Sequence, residues 1–130
     1  MSEWRTETAA DLARAAEMLE DVLKALSGEP KKEELRSIWL AYIKVEKSVA
    51  FIKFEMDEEN PGRFIKLRPY VIPDERQALQ FALKNLKKGS VDFALGDFRL
   101  ALKNLRESRN YLRALLRQKR LARARNARSS

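Results

Sequence analysis

Apolar residues recur at intervals of three and four along four stretches of this chain, and Gly or Pro lies between each stretch and the next. Leu12, Ala15, Leu19, Val22, Leu23 and Leu26 form the first series. Leu79, Leu83, Leu86 and Phe93 form the third, with Ser90 at the register position between the last two. A period near 3.6 marks a helix with one buried face, and packed helices are the fold that satisfies four such faces at once. The chain is therefore expected to be all-α: a four-helix bundle-like domain with a C-terminal αα-hairpin and an extended basic C-terminal helix or tail. Its 130 residues, 45% of them apolar, suit one domain with a true core. The division expected is a helical body over residues 1–117 and a basic extension over 118–130.

The first helix is predicted from Glu7 to Ser27, with Thr8 and Asp11 as a capping pair and Gly28 and Pro30 as its stop. The second starts near Lys31 and carries Leu35, Ile38, Trp39, Tyr42, Val45, Val49, Ile52 and Met56. Leu40, Ile43, Phe51 and Phe54 fill much of its remaining circumference, which requires a central position or a second partner. It ends by Asn60-Pro61-Gly62. Residues 50–72 also admit a β-hairpin, because Ala50 to Met56 alternates with period two and Arg63 to Arg68 is strand-like. The unbroken helical period from Leu35 favours helix, followed by an extended connector between Pro69 and Pro73.

The third helix is predicted from Pro73 to Leu95, opened by Pro73-Asp74-Glu75 and weakened at Gly89-Ser90. Gly96-Asp97 is the clearest punctuation: Gly for a left-handed helix end, Asp to cap the next helix. The fourth helix then begins at Phe98, turns Phe98, Ala101, Leu105, Leu112 and Leu115 inward, and pairs antiparallel with the third.

Charge is distributed unevenly. The chain is +8, yet residues 98–130 hold eleven Lys or Arg against one acid, Glu107. Such a field says little about fold and much about partners; it points to a polyanion. On a helix, Arg99, Lys103, Arg106, Arg113, Arg117 and Arg120 share a stripe about 100° wide. Arg outnumbers Lys nine to two in this segment, and the guanidinium fork suits phosphate. Lys119, Arg123, Arg125 and Arg128 extend the cationic run into a tail of the kind that orders on RNA. Arg63, Lys66 and Arg68 beside Phe64 and Tyr70 form a smaller secondary patch, cations interleaved with rings as single strands prefer. The bland alternative for the stripe is a solvated face, or one paired with acids of the first helix.

Several chemistries find no support. With no Cys there is no disulfide framework and no thiol nucleophile, and with no His there is no general acid–base group tuned near neutrality. No Gly-rich phosphate loop occurs. Carboxylates cluster at Glu17, Glu20 and Asp21, at Glu33-Glu34 and at Asp57 to Glu59, but carboxylate metal sites in helical bundles add His, so no metal or cofactor is expected. No apolar run is long enough to span a membrane, and the chain starts without a signal peptide; a cytoplasmic protein is expected. The charge-rich, Cys-free composition resembles that of proteins from hot environments.

The expected function is non-enzymatic binding of RNA or DNA backbone, RNA favoured, as one subunit among protein partners in a larger nucleoprotein complex. In size, helicity and basic charge the chain resembles the small helical subunits of CRISPR effector complexes and peripheral ribosomal proteins; this likeness of type rests on no motif and carries over no residues. The alternative is a helical protein–protein adaptor, homo- or hetero-oligomeric, using Trp39, Tyr42, Phe51 and Phe54. Attachment to a membrane surface is the weakest reading, since the tail lacks bulky apolar groups past Leu121.

Overall fold

A computed structural model describes residues 3–56 and 74–129, with side chains described through Ala122. Every element among these residues is helical: α1 (Glu3–Ala25), α2 (Lys32–Met56), α3 (Glu75–Ala94) and α4 (Phe98–Ser129). Residues 50–56 are helical, so the first arm of the alternative hairpin does not form; its second arm and the extended connector lie outside the described residues.

α1 begins a full turn earlier than its apolar spacing predicts, and Thr8 is no cap. Thr8 is buried inside the helix, while Asp11 bonds to Lys44 and Lys47 of α2. The cause is Trp4. Its ring lies edge-on to Phe93 at 5.8 Å and 5.7 Å from Phe98, and Arg5 sits over Phe98 at 5.1 Å. Ring contacts and a cation over the π-face stabilise an extra turn that no spacing rule anticipates.

α1 packs on α2 and α3, and α4 packs on the same two helices. Each neighbouring pair runs antiparallel. Lys47 of α2 meets Glu7 of α1, and Trp4 meets Phe93 while Arg76 reaches Leu26. Across α2 and α4, Arg109 meets Glu46 and Arg113 meets Tyr42; across α3 and α4, Asn104 meets Asp92 and Lys119 meets Glu75. Leu12, Leu19, Ile38, Val45, Leu79, Leu86, Leu105 and Leu112 fill the centre from all four helices.

Helix ends are set by their side chains. Asp74 lies just outside α3 and accepts from Gln77 N–H at 2.8 Å, so the cap is Asp74 itself. Arg76 donates to the carbonyl of Leu26 at 2.8 Å, satisfying an acceptor just past the end of α1. At the α3–α4 turn, Gly96 has φ 81°, Gly96 N–H bonds to Phe93 O and Asp97 N–H to Asp92 O; Asp97 then accepts from Leu100 N–H at 3.2 Å. This is a Schellman end joined directly to an N-cap, as Gly96-Asp97 predicts.

Gly89 has the opposite role to the one its helix propensity suggests. It is buried, and a β-carbon there would lie 2.7 Å from both Cγ and Cδ2 of Leu105. The missing side chain lets α3 and α4 close, and Ser108 Oγ donates to Ala82 O at 2.7 Å along the same seam. Propensity alone favours alanine by about 1 kcal/mol, whereas overpacking a core costs about 1–3 kcal/mol. Gly89→Ala should therefore lower the thermal midpoint measured by circular dichroism. A midpoint above that of the parent would show that Leu105 yields and that propensity wins.

Candidate nucleic-acid interface

α4 turns Ala101, Leu105, Ser108, Leu112 and Leu115 into the core. The opposite side carries the expected basic stripe, but not as one continuous edge. Arg99 and Lys103 are exposed near the start of the helix, and Arg113, Arg117 and Arg120 are exposed near its far end. Between them Arg106 is half-buried and Asn110 is buried, its Oδ1 lacking a hydrogen-bond partner. At 1.5 Å per residue the break from Lys103 to Arg113 spans about 15 Å.

Two of the expected contact residues, Arg113 and Lys119, are held by carboxylates of the body, and so is Arg109, which is not among them. Arg109 Nε faces Glu46 Oε1 at 3.2 Å, off the axis of a hydrogen bond, with both atoms buried. Arg113 reaches the same oxygen at 3.7 Å and donates to Tyr42 Oη at 3.4 Å, while its side chain stays half exposed. Lys119 lies 2.6 Å from Glu75 and 3.7 Å from Glu29. The hydrogen bond from Lys119 holds the Glu75 carboxyl below its ordinary value, aided by a backbone hydrogen bond and opposed by burial.

Past Lys119 the situation changes. Leu115 is the last core residue among those described, and the Lys119–Glu75 pair ties α4 to the first turn of α3. α4 nevertheless continues to Ser129, so ten residues, about 15 Å of helix, extend beyond that tie. They contain Arg120, Arg123, Arg125 and Arg128 and no acid. Among the described residues, Arg99, Lys103, Arg117 and Arg120 form no ion pair. The secondary patch of Arg63, Lys66, Arg68 and Tyr70 lies outside the described residues.

The acids of the body are largely engaged elsewhere. Glu7 and Asp11 hold Lys47, Asp11 also holds Lys44, Glu20 holds Lys87 at 2.6 Å and Glu17 holds Arg14. No three acids among the described residues converge as a metal site would require, and no described helix is long and apolar enough to cross a membrane.

The partners of α4 escape a count restricted to sequence neighbours, yet the sequence holds a signal for one of them. Folding a hairpin about Asp97 reflects residue 75 onto residue 119, which is the Glu75–Lys119 pair. The same reflection brings 89 to 105 and 92 near 104, the other contacts of the seam. Glu46 and Glu29 have no such signal, because the register between α2 and α4 is set only by packing. The stack of Phe81 on Tyr111, rings 5.4 Å apart, belongs with the hairpin contacts, since the reflection sends 81 to within two positions of 111.

A carboxyl whose folded value is depressed stabilises the fold above its unfolded value and loses that contribution as pH falls through the folded value. The unfolded value is about 4.3, so the Glu75–Lys119 contribution should be present at neutral pH and fade in the range below about pH 4. Glu75→Gln should cost about 1 kcal/mol at neutral pH and converge on the parent as pH falls. Denaturant titrations of both proteins across that range check it; a gap that persists into strong acid would assign the cost to packing.

No family model matches this chain, and neither a curated protein nor a solved structure is similar to it at a significant level.

Proposed function

We propose that this chain is a non-enzymatic, cytoplasmic protein that binds the phosphate backbone of RNA or DNA through the far end of α4, as one component of a larger nucleoprotein assembly. One observation carries the reading: α4 outruns the helical body beyond Lys119, and that overhang holds four arginines and no carboxylate. Arg117, Arg120, Arg123, Arg125 and Arg128 form the contact set. Lys119 drops out of it because Glu75 and Glu29 already neutralise it. Arg113 stands at the margin, half exposed but shared with Glu46. Arg99 and Lys103 lie at the opposite end of α4 and join only a long strand.

Phosphate contacts position a chain on a nucleic acid without reading its bases, so the binding should be nearly indifferent to sequence. Arginine strengthens this mode, since each fork spans two phosphate oxygens and resists desolvation better than an ammonium. A second reading, a protein–protein adaptor in which the basic end is secondary, is supported by the large apolar groups exposed on α2.

The two readings separate in a salt titration. Five phosphate contacts on duplex DNA give a log–log slope of about −4.5, at about −0.9 per contact. Removing residues 120–130 should bring the slope to about −1 and abolish most of the affinity at physiological salt. On a duplex too short to reach them, the double variant Arg99→Gln, Lys103→Gln should leave the slope unchanged. A flat salt response of the full chain, or full affinity after truncation, refutes nucleic-acid binding by α4.

A further inference from the structure

The side of α2 that faces away from the core carries five of the ten exposed large apolar side chains among the described residues. Ile38, Ala41, Val45, Ser48, Val49 and Ile52 are buried. Directly opposite, within an arc of about 120° at 100° per residue, stand Trp39, Leu40, Ile43, Ala50, Phe51 and Phe54, all exposed. We propose that this face is a homodimer interface, in which the α2 helices of two copies pack antiparallel about a two-fold axis between Glu46 and Lys47.

Area is the first argument. Trp39, Leu40, Ile43, Phe51 and Phe54 are 51%, 38%, 41%, 37% and 80% exposed. At about 200 Å² per large side chain this amounts to roughly 500 Å² of accessible apolar surface. That lies in the upper part of the range for the largest patch on a monomer, about 300–600 Å². Two such faces together offer about 1,000 Å², the size at which a specific interface becomes credible. Flanking side chains add to it.

Charge is the second. In a chain of +8, α2 is close to neutral, with five cations and four anions. A strongly acidic or basic partner therefore finds no field to complement on this helix, whereas a second copy meets no net repulsion from it. The cation in the middle of the apolar stripe, Lys47, is already compensated: it lies 2.7 Å from Glu7 and 3.2 Å from Asp11, and its ammonium sits 5.7 Å from the Phe51 ring. Burying Lys47 thus strands no bare charge.

The order of residues sets the orientation. An antiparallel pair centred between Glu46 and Lys47 sets Trp39 across from Phe54 of the second copy, Ile43 across from its Ala50, and Lys47 across from its Glu46. Branched then meets small, and Lys47 meets the carboxylate that Arg109 and Arg113 hold on their own side. A parallel pair would instead stack Arg36 on Arg36 and Lys47 on Lys47 and align both helix dipoles. The antiparallel two-fold is also isologous, so the assembly closes at two copies.

Sedimentation of the full chain tests the proposal. The mass expected is twice the 15.1 kDa of one chain at about 100 μM, a concentration that populates even a weak dimer. Phe54→Glu and Ile43→Glu, each on an exposed position, should keep the helical circular dichroism of the parent and raise the dissociation constant at least about 100-fold, the effect of losing two buried anchors. Val91→Glu, exposed on α3, should change nothing. A wild-type monomer at that concentration overturns the proposal, and the face then belongs to a different protein. A dimer indifferent to both α2 substitutions overturns it as well. The chain has no Cys, so any disulfide made by a single introduced Cys links two copies. Under an added oxidant, Lys47→Cys should cross-link readily and Phe54→Cys should not, since antiparallel pairing holds the two copies of residue 54 about 22 Å apart along the axis. Equal cross-linking at both positions overturns the antiparallel arrangement.

Discussion

A β-carbon on Gly89 would have nowhere to go, because Leu105 already occupies its place. The close approach of α3 and α4 at this point fixes the register of the hairpin, and a chain of contacts depends on that register. It lets Ser108 reach the backbone of α3, sets Asn104 on Asp92 and brings Lys119 to Glu75. It also holds Phe93 and Phe98 side by side, forming the surface on which Trp4 lands. α1 is thereby pinned at one end by rings and at the other by Arg76. Loss of the glycine would force the seam apart and disturb all of these together, in the way close-packed interiors transmit strain.

The same packing sorts the charges. The acids of α1 pair with Lys44, Lys47 and Lys87, and Glu46 is taken by Arg109 and Arg113. Exposed pairs of this kind contribute little to stability. Their consequence is electrostatic: the body approaches neutrality along its length, and the uncompensated charge is left at the extremities of α4. The apolar surplus is sorted in a similar way, with one face of α2 in the core and the other left to solvent.

Helix number, helix type and the α3–α4 turn are legible from spacing and punctuation alone, since Gly96-Asp97 allows little else. The core faces of α1 and α4 are legible too, from the three-four intervals; in α2 the spacing groups Trp39 with Ile38 and Tyr42, but the structure turns it outward, 51% exposed, and buries Ala41 and Ser48 instead. In α3 the buried row lies one step from the row of large apolar residues: Leu83 is half-buried, and Ala78 and Ala82 take the core beside Leu79 and Leu86. Close helix approach favours small residues there, and a scan for large apolar groups passes over them. The start of α1 is not legible, because its stability comes from Phe93 and Phe98, some ninety positions away in sequence. The continuity of the basic stripe fails for a related reason. Periodicity places Asn110 among the arginines, but it cannot show that this position is covered while its neighbours are open.

Glu75 and Arg76 are adjacent in the first turn of α3, yet they secure different helices: one grips α4 through Lys119, the other the end of α1 through Leu26. The projecting part of α4 is thus rooted in a clamp shared by three helices. A cantilever with that footing carries its first guanidinium group, on Arg120, one residue past the tie. A load on that projection, such as the strand proposed above, would pass into the body through two neighbouring side chains, Glu75 and Arg76.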